Sequence, residues 1–151
     1  MKRLMITLFA IAAATNVAVA GDKPDFSGTW KVDLDKSVLG PLAGPTSITR
    51  RIEHKDPNIS DQQSITGPDM NLTFKYSTDG QETANNFMGT DFKSKAQWEG
   101  KTLVIHNDVD GGKGKSTNKW SLSAEGKTLT DVLTISSPDG DFEVIYVLVK
   151  Q

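Results

Sequence analysis

Turn signals punctuate this chain at short intervals, and they limit what it can fold into. They are Asp56-Pro57-Asn58, Gly67-Pro68-Asp69, Asp79-Gly80, Glu99-Gly100, Gly111-Gly112, Glu125-Gly126 and Asp139-Gly140. The Gly of an Asp-Gly or Glu-Gly pair supplies the positive φ that a tight hairpin turn needs. The runs between them are only six to ten residues long and alternate in character. Short alternating runs at regular spacing indicate an all-β barrel or sandwich. About ten strands are expected, near residues 28–35, 46–54, 58–66, 70–77, 82–88, 91–98, 102–108, 114–122, 127–136 and 141–149.

Alternation assigns faces to several of these runs. Met70, Leu72, Phe74 and Tyr76 share one face, as do Trp30, Val32 and Leu34. Phe92 and Trp98 share another with the small residues Ser94 and Ala96 between them. Leu103 pairs with Ile105, and Leu129, Leu133 and Ile135 share a face that Asp131 interrupts. The final run, Phe142 to Val149, is apolar on both faces, the mark of a central strand or one that closes a barrel. Lys36 to Pro45 holds two Pro and two Gly in ten residues and is a loop. Two segments echo each other, "WEGKTLVI" from Trp98 and "WSLSAEGKTLTDVLTI" from Trp120, as successive hairpins of one meander.

The chain opens on a different physics. Lys2 and Arg3 precede an apolar stretch, Leu4 to Ala14, and Ala18-Val19-Ala20 is a small-x-small site. This pattern is a secretory signal with cleavage expected after Ala20. The apolar run is too short to span a bilayer, and no Cys follows the site, which excludes lipidation there. Residues 21–151 are then a single domain of 131 residues, enough to bury a core without staples. The absence of Cys removes disulfides and thiolate chemistry. Loss of Lys2 and Arg3 shifts the net charge from −2 to −4, a poor match to nucleic acid. A secreted or periplasmic monomer with no membrane span after cleavage is expected.

Phe26-Ser27-Gly28-Thr29-Trp30-Lys31-Val32 resembles the first strand of the calycins, the superfamily of lipocalins and fatty-acid-binding proteins. The signal, the "GTWKVDLDKS" start and the "GKTLT" turn look like those of uncharacterised lipocalin-like proteins secreted by bacteria. The resemblance implies an antiparallel up-and-down meander barrel of eight to ten strands. In it Trp30 plugs the closed end and Gly28 lets the backbone approach the ring. The chain also departs from the family. The helical lid of fatty-acid-binding proteins is replaced by the short loop Lys36–Pro45, and Tyr146 has no Arg beside it on the last strand. The carboxylate site of that branch therefore does not carry over. No Arg follows Arg51, so a cation packed on Trp30 must be Lys150 or another Lys, Arg50 or Arg51.

No catalytic constellation or metal site emerges, and no cofactor is expected. His54 lies beside a turn near Glu53 and Asp56 and is expected at the surface. His106 is exposed if Ile105 faces the core and lies in a cavity if the faces are reversed. Two separated histidines do not build a zinc site. Asp108 to Lys115 lacks the later Glu of a calcium loop and the context of a phosphate loop. The leading reading is a binding protein for a small apolar ligand. Its cavity candidates are Met70, Leu72, Phe74, Phe92, Trp98 and Tyr146, with Arg51, Tyr76, Asn86 and His106 as polar groups. The alternative is a solid barrel that contacts a protein partner, as an inhibitor does, through the Lys36–Pro45 loop.

Overall fold

The computed structural model describes residues 22–109, 112 and 114–151. The segment with the signal pattern lies outside these residues, as does part of the Asp108–Lys115 loop. Among the described residues the chain forms ten antiparallel strands. They are β1 (Gly28–Val32), β2 (Ser47–Lys55), β3 (Asn58–Thr66), β4 (Met70–Ser77) and β5 (Asp79–Phe87), followed by β6 (Thr90–Glu99), β7 (Thr102–Val109), β8 (Gly114–Leu122), β9 (Thr128–Ser137) and β10 (Gly140–Lys150). Their hydrogen-bonded order is β4-β3-β2-β1-β10-β9-β8-β7-β6-β5. The meander expected from the turns is therefore present, and β10, the run apolar on both faces, closes it by pairing with β1. Two boundaries differ from expectation by more than one residue. β1 stops at Val32 because the Asp33 carboxylate accepts the Asp35 and Lys36 N–H groups in a tight turn. β5 starts earlier, at Asp79, through a register shift before Glu82.

One end of the barrel is packed solid. Phe26, Trp30, Leu103, Ile105, Trp120, Leu129 and Leu148 are fully buried there. Each such side chain contributes about 1.5–3 kcal/mol of burial. The Trp30 indole N–H donates to the Phe26 carbonyl at 2.9 Å, and the Lys150 Nζ sits 5.5 Å from its ring centroid. Lys150 is thus the cation on the base Trp. Gly28, at φ 138°, turns the chain inward; a Cβ there would lie 3.0 Å from Lys150 Cε.

His54 belongs to this base rather than to the surface. Its ring stacks on Phe26 at 5.7 Å and on Trp98 at 6.1 Å. Its Nδ1 accepts the Phe26 N–H, so Nε2–H donates to Asp56 at 2.6 Å. Neighbouring carboxylates suggested exposure; the apolar Phe26 folding back over the β2 end overrides it.

The other end is open. The segment 33–46 runs up the wall beside β10, held by mutual Val38 and Ile145 backbone bonds of 2.8 Å and by Ser37 Oγ, which accepts the Val147 N–H. A 3-10 turn at Gly40–Leu42 then brings it to the rim. There Gly67, at φ 118° in the β3–β4 turn, passes so close that a Cβ would meet the Gly44 oxygen at 2.9 Å.

The sheet has one gap, between β4 and β5, and a side chain bridges it. The Asn85 amide copies a ladder pair: its Oδ1 accepts the Lys75 N–H at 2.8 Å and its Nδ2 donates to the Lys75 carbonyl at 2.9 Å. Thr83 Oγ1 donates to the same carbonyl at 2.8 Å.

Two outcomes follow from this packing. Trp30→Ala should lower stability in urea by about 3–5 kcal/mol, whereas Lys150→Met, at an exposed cation–π contact, should change it by about 1 kcal/mol or less. Asn85→Ala should speed hydrogen exchange at the Lys75 amide by tenfold or more while leaving β9 and β10 protected, because it frees a local opening and not the whole sheet.

Candidate ligand-binding site

Above the packed base the barrel holds a cavity of about 540 Å³ that opens at the rim. This is within the range of small-molecule sites. Strand alternation builds its walls. β4 contributes Met70, Leu72 and Phe74; β2 and β3 add Ile48 and Ile65; Phe92, Leu133 and Ile135 face them from β6 and β9. Leu42 and Phe87 stand at the mouth. Small residues make the room: Gly114 and Ser116 occupy the inward positions of β8 nearest the rim.

The floor is polar, and its centre is Arg50. Side chains of the Arg50–Asp61–Asp131 triad are almost fully buried. Arg50 binds Asp61 through two nitrogens, Nη2 at 2.6 Å and Nε at 3.2 Å. Its Nη1 donates to Asp131 at 2.7 Å, and its guanidinium lies 4.8 Å above the Trp120 ring. Burial, the largest influence, works against the charge on Arg50, but the two carboxylates outweigh it and raise its proton affinity.

From Asp131 a chain of amides and hydroxyls continues across four strands. Asn118 donates to Asp131 at 2.9 Å, Asn107 donates to Asn118 at 3.0 Å, Ser94 donates to Asn107 at 2.7 Å, and Asn85 donates to Ser94 at 3.0 Å. Through Asn85 the chain reaches the β4 backbone. A polar belt thus runs round the interior from Asp61 to Lys75, with apolar residues below and above it. On β2 it lies between Ile52 and Ile48, on β7 between Ile105 and Val109, and on β9 between Leu129 and Leu133.

Two phenols complete the floor. Tyr76 and Tyr146 line the cavity and take part in none of the side-chain hydrogen bonds of the described residues, while the fully buried polar atom left without a partner is Trp120 Nε1. Burial first, and then the nearby carboxylates, raise the pKa of both. Both are therefore neutral O–H groups, free to donate and accept.

Six of the residues singled out in the sequence line this cavity: Met70, Leu72, Phe74, Tyr76, Phe92 and Tyr146. Four do not. Arg51 faces solvent, 3.5 Å from Glu53, and Arg50 is the inward residue. Asn86 bonds Asp91 outside the barrel, and Asn85 points in. His106 is exposed beside Thr117 because Ile105 faces the core, which leaves Asn107 on the cavity side. Each is a slip of one residue, which in a strand exchanges the two faces. Trp98 has the inward parity but sits too low; it stacks on Phe26 at 5.8 Å in the base.

No family model matches the sequence, and no curated protein matches it. Solved structures do. The chain is similar to a secretory abundant heat soluble protein of Ramazzottius varieornatus (TM-score 0.67, 14% identity, covering 83% of this chain and 94% of that one). It is also similar to lipid binding protein 8 of Caenorhabditis elegans (0.66, 16%, 83% and 95%). A third is the zebrafish ileal bile-acid-binding protein, solved with cholic acid (0.63, 18%, 83% and 98%). At these identities the likeness is one of fold: this chain shares with them a nearly closed barrel built almost entirely of antiparallel strands.

Proposed function

We propose that this chain is an exported, monomeric binding protein, not an enzyme, that encloses one small, mainly apolar ligand. The observation that carries this reading is the cavity itself. It has apolar walls, a floor with a few oriented polar groups and an open rim, the usual composition of a small-molecule site. The printed descriptions of two similar structures, a lipid binding protein and a bile-acid-binding protein, support it as analogy. The signal pattern of the first twenty residues supports export. The loop-docking alternative has less support, because 33–46 is pinned along β10 and its Leu42 turns to the cavity rather than forming a free arm.

Titration of the mature protein with the neutral fluorophore N-phenyl-1-naphthylamine should give a saturable rise in emission at one equivalent. Leu72→Trp, which fills the cavity, should weaken that binding at least tenfold with a melting temperature close to wild type. A probe that fails to saturate, or that ignores Leu72→Trp, would rule out an internal site. For export, the full chain made in a secreting bacterium should appear in the periplasm or medium with Gly21 at its N-terminus, as read by intact mass; an uncleaved chain retained in the cytoplasm would refute that part.

A further inference from the structure

We infer that the cavity selects lipophiles whose polar head carries no negative charge and donates a hydrogen bond, namely alcohols and amines, and that it discriminates against carboxylates. This rests on the binding reading above and deepens it.

The argument is a charge count at the floor. Among the described residues the ionisable groups buried there are one cation, Arg50, and two acids, Asp61 and Asp131. Donors meet both oxygens of each acid. Asp61 receives Arg50 Nε on Oδ1, and Arg50 Nη2 and Gln63 Nε2 on Oδ2. Asp131 receives Asn118 Nδ2 on Oδ1 and Arg50 Nη1 on Oδ2. With two carboxylates to one guanidinium the buried triad carries a net charge of −1; Arg50 lines the cavity with Asp61 and Asp131 behind it, and three of its five N–H groups are held by those acids.

A carboxylate head at this floor would lose its water and meet an excess of like charge, the arrangement that sites use against a wrong ligand. A hydroxyl or ammonium head meets the reverse. The Tyr76 and Tyr146 oxygens that line the cavity accept its proton, and the phenol hydrogens satisfy a hydroxyl oxygen. The other cation on the cavity wall, Lys115, lies exposed at the rim. It can meet a carboxylate only if the alkyl tail is buried against the polar belt, which strips water from those groups without replacing its hydrogen bonds.

The test is displacement of N-phenyl-1-naphthylamine from the mature protein at pH 7.5 by three ligands of one tail length: 1-dodecanol, dodecylamine and dodecanoate. The alcohol and the amine should each bind at least tenfold more tightly than dodecanoate. Tyr146→Phe, a small change at a half-buried position, should weaken both at least threefold and leave the probe unaffected. Asp131→Asn, where it folds, should narrow the gap by strengthening dodecanoate. If the probe binds but dodecanoate falls short of that tenfold margin, or if none of the three displaces it, the selectivity is wrong while the cavity stands. If the probe itself does not bind, the binding reading fails first.

Discussion

The guanidinium of Arg50 stands between two carboxylates that come from different parts of the sheet, Asp61 on the adjacent β3 and Asp131 on β9, beyond β1 and β10. A charge buried this deeply is tolerable only when paired and hydrogen-bonded, and removing one partner of such a pair typically costs about 3–5 kcal/mol. The contact joins residues 81 positions apart. It can form only when the meander has closed in the right register, since a shift of one residue would turn all three side chains to solvent. An apolar interior of the same volume tolerates sliding better. The triad therefore specifies one closure of the barrel as much as it stabilises it.

The belt that continues from Asp131 has a second consequence. Inward amides and hydroxyls on β5 to β8 satisfy one another laterally, so the belt needs no side chain packed on top of it. Below it, two buried Trp rings and Phe26 fill the narrow end. Above it, the inward residues of β8 are Ser116 and Gly114, and nothing reaches across. The cavity is thus a product of side-chain size along the strands, with the belt as the boundary between packed and open halves. The same belt ends at Asn85, whose amide substitutes for the backbone pairing that β4 and β5 do not make. Closure of the sheet and the floor of the site are one hydrogen-bonded structure.

Much of this was legible in the sequence, for identifiable reasons. Asp-Gly and Glu-Gly turns set the strand limits, since backbone conformation there depends on one residue. Phe26, Gly28 and Trp30 marked the base, and the unbroken alternation of Met70 to Tyr76 marked a wall. The belt was missed because it breaks the apolar pattern. Of two adjacent arginines, Arg50 and not Arg51 turns inward, and its signal is that Ile48 and Ile52 lie two residues to either side of it and share its face. Asn107 has the same signature between Ile105 and Val109, and Asp131 has it between Leu129 and Leu133, where it was read as an interruption. A polar residue flanked at both second neighbours by apolar ones was the available signal. Trp98 shows the opposite limit: parity gives the face of a strand but not the height in the barrel, which depends on stagger between strands.

The triad also ties stability to recognition. A barrel that binds an anion through a buried Arg must leave that Arg without a full set of partners before the ligand arrives, at a cost to the empty protein. Here the reverse arrangement holds. Three of the five Arg50 N–H groups are held by the protein's own carboxylates, so the empty barrel already has its charge compensated and needs no anion to neutralise it. Beside it two neutral phenols, Tyr76 and Tyr146, line the cavity. Their hydroxyls can both donate and accept, and they set the polar contact that an uncharged head gains. The interaction that fixes the register of ten strands thereby offsets the positive charge at the site it underlies.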